Sequence, residues 1–312
     1  MSATERLPYQ FKMFSDDYFR LMNQAGVRQR LDLCGLGYLG CWDTKLSPDG
    51  ILYYAPSDAS GRGLHTRLIA YDYQTDEARI CFKAENVVLP NRRQLPVTKL
   101  HESLSILPDG RIFATTHSTD RAPHHPEWMP FAHHTHVWEG WPGSTMVCYD
   151  PKTGKVENWG VPAPRESIYG ATYDAKHNAV YMIGFMRGHV YRYALDTHTV
   201  KDLGKAAELY CYRLHVGPDH NIYGCTKSGY LWRVNVDTEE LEDLNWRVPE
   251  YPGNYCNNTW YRCMSQAHNV DDHTMIFSTF CSDEFFVFDT NTLTVRPLGY
   301  KTAFEAMVDR MP

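Results

Sequence analysis

Five segments of this chain repeat one pattern: an apolar strand, a turn opened by a polar residue, then a strand with a polar face. They are Leu68–Ile80 (LIAYDYQTDEARI), Met146–Trp159 (MVCYDPKTGKVENW), Val190–Leu203 (VYRYALDTHTVKDL), Leu231–Leu244 (LWRVNVDTEELEDL) and Phe286–Leu298 (FVFDTNTLTVRPL). Aspartate and threonine at such turns bond the neighbouring backbone, which closes a tight hairpin. A hairpin recurring at intervals of tens of residues marks a repeat architecture.

Upstream of each hairpin lies a second one. Its turns are Ser47-Pro48-Asp49-Gly50, Leu107-Pro108-Asp109-Gly110, Asp174–Asn178, Gly217–Asn221 and Val270–His273. The apolar strands after them are Ile51–Tyr54, Ile112–Thr116, Ala179–Gly184, Ile222–Cys225 and Met275–Thr279. Two hairpins per unit give four strands, A to D. Radial repetition of such units is a β-propeller. The expected fold is therefore all-β, one propeller domain over residues 1–312, with five four-stranded blades. A sixth blade would need Leu31–Tyr38 to pair with the C-terminal tail. Residues 1–38 form an N-terminal extension, in which Asp16–Arg30 reads as a short helix capped by Ser15 or Asp16. The segment Lys83–Leu100 is long, and residues 118–143 form a longer loop of the kind that carries function.

The bulk numbers exclude some classes. The formal net charge is −6, without the basic footprint of a nucleic-acid binder. No apolar run approaches the ~20 residues of a membrane-spanning helix, and no basic stretch followed by an apolar core marks an export signal. The nine cysteines form no CxxC pair, so reduced thiols and a cytoplasmic location are expected.

Aligning the repeats places the starts of the A strands and the ends of the B strands on one propeller face. The A-strand starts carry Trp42, His101, Glu102, Tyr169, Tyr212, Arg213, Tyr261 and Arg262. The B-strand ends carry Arg62, His117, Arg187, Lys227 and Ser282. Ionisable residues from different blades converging on one face are what a catalytic or anion-binding pocket requires. The same polarity would also follow from solvated strand ends alone.

The long loop adds His124, His125, His133, His134 and His136, with Trp128, Trp138 and Trp141. Its HHTH run offers His133, His134 and His136 as ligands for Zn²⁺ or Mn²⁺. No cysteine or carboxylate stands at a familiar spacing to complete such a site, and acid–base roles for one or two of these histidines are the other reading. No serine-hydrolase elbow, phosphate loop or dinucleotide fingerprint is present. A glycosidase would need two pocket carboxylates, for which Glu102 with Glu166 or Glu139 are candidates. Histidine, tyrosine and arginine together suit a different reaction. Arginine neutralises a substrate carboxylate, histidine removes the adjacent proton, and tyrosine protonates the leaving oxygen. His117, His136, Tyr169 and Arg187 are the candidates for these roles, with His101, Glu102, His134, Trp138, Tyr212, Arg213, Lys227, Tyr261 and Arg262 binding substrate.

The stretches LHESLSILPDGRIFATTH, AHHTHVWEGW, PRESIYGATYD and MRGHVYRY, within residues 100–203, resemble the β-propeller polysaccharide lyases. The resemblance is to the ulvan lyases and, more distantly, to the oligogalacturonate lyases. It implies elimination across a glycosidic bond, with roles for His117, His134 or His136, Tyr169 and Arg187. Those lyases commonly have seven blades, and their Gln-and-two-His metal pattern is matched only loosely by Gln266, His268 and His273. A smaller substrate, another acid–base or metal-dependent reaction, or a non-catalytic binding scaffold remain open beside elimination. The expected partner is a small molecule or oligosaccharide, with no nucleic acid and no membrane.

Overall fold

The computed structural model describes residues 41–56, 66–89, 94–118, 125, 136–208, 213–249, 262–279 and 284–301. The expected N-terminal helix lies outside them. So do Arg62, His124, Trp128, His133, His134, Tyr212, Tyr261 and Ser282.

The chain is an all-β propeller of five blades, as the repeats require. Blade one is β1 (Cys41–Leu46), β2 (Ile51–Pro56), β3 (Arg67–Asp72) and β4 (Glu77–Lys83), hydrogen-bonded in that order. In blade two the inner strand is broken into β5 (Lys99–Leu100) and β6 (Ser105–Ile106). Both pair with β7 (Ile112–His117), which is followed by β8 (Met146–Tyr149) and β9 (Val156–Gly160). Blade three is β10 (Ile168–Asp174), β11 (Ala179–Gly184), β12 (His189–Ala194) and β13 (Thr199–Lys205). Blade four is β14 (His215–Val216), β15 (Ile222–Cys225), β16 (Tyr230–Asn235) and β17 (Glu240–Arg247). Blade five is β18 (Met264–Asn269), β19 (Thr274–Thr279), β20 (Glu284–Asp289) and β21 (Thr294–Lys301). One 3-10 turn, Ala84–Asn86, interrupts the long connection after blade one. No helix among the described residues is long and apolar enough to cross a membrane.

The outer hairpins close as their sequences dictate. The Oδ1 atoms of Asp72, Asp150, Asn235 and Asp289 accept from the backbone N–H two residues on, at 2.8, 2.9, 3.1 and 2.9 Å. Near the end of each turn one residue is left-handed: Asp76, Gly154, His198, Glu239 and Leu293, with φ between 55° and 72°. The same turn geometry is thus built five times, and only Gly154 adopts it without a side-chain penalty.

The core lies between consecutive blades rather than inside any one of them. Phe113, Met146 and Cys148 of blade two pack on Ile168, Val180, Met182, Tyr191 and Tyr193 of blade three. Equivalent clusters join blades one and two, three and four, and four and five. Each fully buried aromatic or aliphatic side chain stabilises by roughly 1.5–3 kcal/mol, so the sheet faces hold the ring together. This arrangement leaves the innermost strands free to face the axis with polar residues.

Candidate active site

Two faces result from the strand order. The connections from B to C and from D to the next A lie on a loop face, while the tight A–B and C–D turns lie on the opposite, turn face. The innermost strands are irregular near the loop face. Register slips between Cys41 and Thr44, between Ile168 and Gly170, and between Met264 and Ala267. In blade two the ladder is interrupted altogether between Leu100 and Ser105. Bulges re-aim side chains, and they gather beside functional sites. Glu102 sits in that interruption with φ of 38°, a conformation that strains a non-glycine residue.

Behind these bulges a column of rings stands on the loop side. His101 stacks between Trp42 and Tyr169 (centroids 4.9 and 3.9 Å apart), and Tyr169 stacks on Phe185 at 4.4 Å. His117 meets His101, Tyr169 and Phe185 edge-on. His101 Nδ1 donates to the Tyr169 carbonyl at 2.7 Å. Its Nε2 is buried with no hydrogen-bond partner. Burial, and then the nearby Lys99, hold His101 well below the usual histidine range, so it is neutral. The Lys99 ammonium lies 4.3 Å from the centre of the Trp42 ring, and burial lowers it to about 8.

The side chain of His117, a candidate for proton abstraction, is fully buried, with Nδ1 hydrogen-bonded to Ser167 Oγ. Arg187 is half exposed and its Nε pairs with the wholly buried Glu166, which also accepts from the backbone N–H of Met186 and Arg187 at 2.9 and 3.0 Å. His136 Nδ1 accepts from the backbone N–H of Trp138 and Glu139, at 3.3 and 3.2 Å, closing a loop turn. Trp138 is exposed. Glu139 is buried and lies 3.4 Å from His125 Nε2. Lys227 and Arg262 meet through their backbones (2.8 Å), and the Arg262 side chain is buried. His133, His134, Tyr212 and Tyr261 lie outside the described residues.

Glu102 and Arg213 do converge, and they do so on the propeller axis. Arg213 of blade four reaches Asp43 Oδ1 and the Trp42 carbonyl in blade one, at 3.6 and 3.2 Å, and Glu102 Oε1 in blade two at 3.2 Å. With its amide turned so that the oxygen faces the guanidinium, Gln266 of blade five accepts from Arg213 Nε and Nη2, at 3.3 and 3.0 Å. The Glu102 side chain is only 10 % exposed, and its Oε2 has no hydrogen-bond partner. Burial pushes this carboxyl up to about 8 against the pull of Arg213.

From this cluster a cavity of about 410 Å³ follows the axis toward the turn face. Its wall includes a ring of equivalent residues, one per blade. Lys45, Ser105, Tyr173, His215 and His268 each occupy the rung next to the end of an A–B ladder. Sequence reasoning missed Lys45 and His215, and read His268 only within a loose metal pattern, because it weighed strand ends. The signal was available in the alignment: count back two residues from each A–B turn, or one from Asp174 in blade three, and compare across blades. The His215 ring bonds the Ser265 backbone and leaves Nε2 buried without a partner. Burial first, then the charges of Arg213, Lys45 and His268, push it down to about 3. It therefore carries a bare imidazole nitrogen at neutral pH.

Among the described residues one cluster of metal-ligand type stands elsewhere. Asp271, Asp272 and His273, in the A–B turn of blade five, have ligand atoms within 4.8 Å of one another. Asp271 Oδ1 is already engaged by the backbone N–H groups of His273 and Thr274. Asp272, 2.6 Å from His273, raises that imidazole toward its protonated form, which opposes metal ligation. The cluster reads as turn chemistry.

No protein-family model matches this chain, and no curated protein matches it by sequence. Its structural likenesses are to other propellers. A streptogramin B lyase is 14% identical, with 86% of this chain and 71% of that chain covered and a TM-score of 0.56. A catalytically inactive virginiamycin B lyase from Staphylococcus aureus, solved with quinupristin, is 14% identical over 84% and 71%, at 0.54. An auxiliary nutrient binding protein from Bacteroides thetaiotaomicron is 11% identical over 84% and 57%, at 0.53. At these identities the shared property is the propeller itself, which supports both enzymes and binders.

Proposed function

We propose that this protein is a lyase-type enzyme that removes a proton next to a carboxylate and eliminates across a carbon–oxygen bond of a small substrate in the axial channel. The observation that carries this reading is Glu102, a buried carboxyl with one oxygen on Arg213 and the other unpartnered, titrating at about 8. A carboxyl that keeps its proton near neutrality can act as a general acid, and perturbed groups in a cavity are candidates for that work.

Roles follow from the geometry. Arg213, held at its bridging position by Asp43 and Gln266, faces the substrate carboxylate and disperses the charge that builds on it as the α-proton leaves. His215 Nε2 accepts that proton. Burial is the larger cause of the lowering at His215, and an anion beside Arg213, Lys45 and His268 offsets the part that their charges add. As the carbon–oxygen bond breaks, Glu102 donates its proton to the departing oxygen. The products are an α,β-unsaturated acid and an alcohol, and solvent returns the proton from His215 to Glu102. The resemblance of residues 100–203 to propeller polysaccharide lyases supports the reaction type, but a cavity of about 410 Å³ favours one sugar acid or a similar small acid over a long polymer.

The test is a screen of purified protein against short uronate oligosaccharides and small β-hydroxy acids, read by ultraviolet absorbance of the conjugated product. Turnover is expected, and Glu102→Gln should lower kcat by about 10²–10³. Saturable binding without any product would replace this reading with a binding module. Turnover untouched by Glu102→Gln would remove Glu102 from it.

A further inference from the structure

The two fixed cations of the channel stand at different depths. Arg213 is at the inner end. Lys45 is on the ring nearer the turn face, level with His215, which follows Arg213 by two residues. Backbone positions two residues apart along an extended chain differ by about 6.7 Å, so the two cations leave the backbone at different depths of the channel. Among the described residues lining this space the acidic one is Glu102, and it lies at the Arg213 end. Lys45 and the neighbouring His268 line the cavity, and both are near enough to His215 to depress it. Among the hydrogen bonds and ion pairs of the described residues, none joins Lys45 to a carboxylate. The buried, unpartnered Nε2 of His215 belongs to the Lys45 level. Two separated positive positions lining one cavity match a ligand that is acidic at both ends.

We infer that the channel takes a small dicarboxylic acid, with one carboxylate at Arg213 and the second at Lys45 and His268. This rests on the proposed reaction for the role of the inner end and adds the second recognition point. A neutral or mono-acidic compound of equal length would leave Lys45 desolvated without a counter-charge, and that penalty is the source of selectivity.

Calorimetric titration with succinate and with butyrate, four-carbon acids bearing two carboxylates and one, tests the inference directly. Succinate should bind about tenfold more tightly, equivalent to about 1.4 kcal/mol. Lys45→Met should reduce the preference to about twofold, by weakening succinate and relieving the penalty on butyrate, with the melting temperature unchanged. Inorganic phosphate should bind more weakly than succinate. Equal binding of succinate and butyrate, or phosphate matching succinate, would overturn the inference, as would a Lys45→Met protein that keeps the full preference. If that variant does not fold, the succinate-to-butyrate ratio of the unaltered protein still decides. Because the readout is binding, the two readings fail separately. Succinate preference in a protein without turnover removes the lyase reading alone. Turnover of a uronate without any dicarboxylate preference removes this inference alone.

Discussion

The outer hairpins and the inner ring of this propeller obey opposite rules. At the C–D turns the five blades repeat one geometry, with an aspartate or asparagine capping four of them and a left-handed residue closing all five. At the inner rung the same five blades supply lysine, serine, tyrosine and two histidines. Backbone closure is a demand that every blade faces alike, so the same chemistry answers it each time. The axis belongs to no single blade, and a ligand there meets five different side chains from one repeated backbone position. Similarity between blades therefore marks what builds the ring, and divergence marks what the ring is for.

Mutations can break this contrast at either end. The largest effect is expected where the backbone itself is crowded. At Gly188, with φ of 69°, an added Cβ would lie 1.9 Å from the Ala207 carbonyl oxygen. Gly188→Ala should destabilise by about 3 kcal/mol or more in chemical denaturation, or prevent folding. Next comes Glu166→Ala. It strips two backbone N–H groups and Arg187 of their acceptor and should cost about 2–3 kcal/mol. If Arg187 served the substrate instead, this variant would lose turnover at unchanged stability.

Titration separates the channel from the frame. Glu102 moves from 4.5 to about 8 on folding. Between those values the folded protein binds the extra proton, so the Glu102 contribution to stability falls as pH rises. Glu102→Gln should flatten that fall in denaturation midpoints measured across this window. His215 has the opposite sign. With its value lowered from 6.5 to about 3, the unfolded chain binds the extra proton between them, so stability rises with pH over that range and His215→Asn should remove the rise. A slope unchanged in either variant would mean that the group is solvated rather than buried. The smallest effect is expected at Gly154, where φ is 72° and an added Cβ meets nothing within 4 Å. Gly154→Ala should cost about 1 kcal/mol, purely through the left-handed backbone, with no effect on ligand binding.

The contrast also explains what could be read without coordinates. The B strands Ala179–Gly184 and Ile222–Cys225 begin and end where their apolar runs do, and all five hairpins form as their turn residues indicate. Glu102 and Arg213 were legible as a convergent pair because both stand at A-strand starts. His117 was not legible as buried: its place at a B-strand end suggested exposure, whereas Tyr169 and Phe185 of the next blade cover it. Lys45 and His215 were missed, and His268 was read only within a loose metal pattern, for a physical reason. Side-chain parity along an inner strand flips at each bulge, and the alternation pattern does not reveal where the bulges fall.

Arg213 joins three blades across the axis by reaching from the fourth to the first and second. Its span is fixed by the width of the channel, and that width is fixed by the number of blades. A duplicated or deleted blade would leave every hairpin and most inter-blade packing intact, yet carry Asp43 and Glu102 out of the reach of one guanidinium. Repeat proteins readily gain and lose units. Here one side chain acts as a gauge of copy number, so a change in blade count would preserve the fold and dismantle the site in a single step.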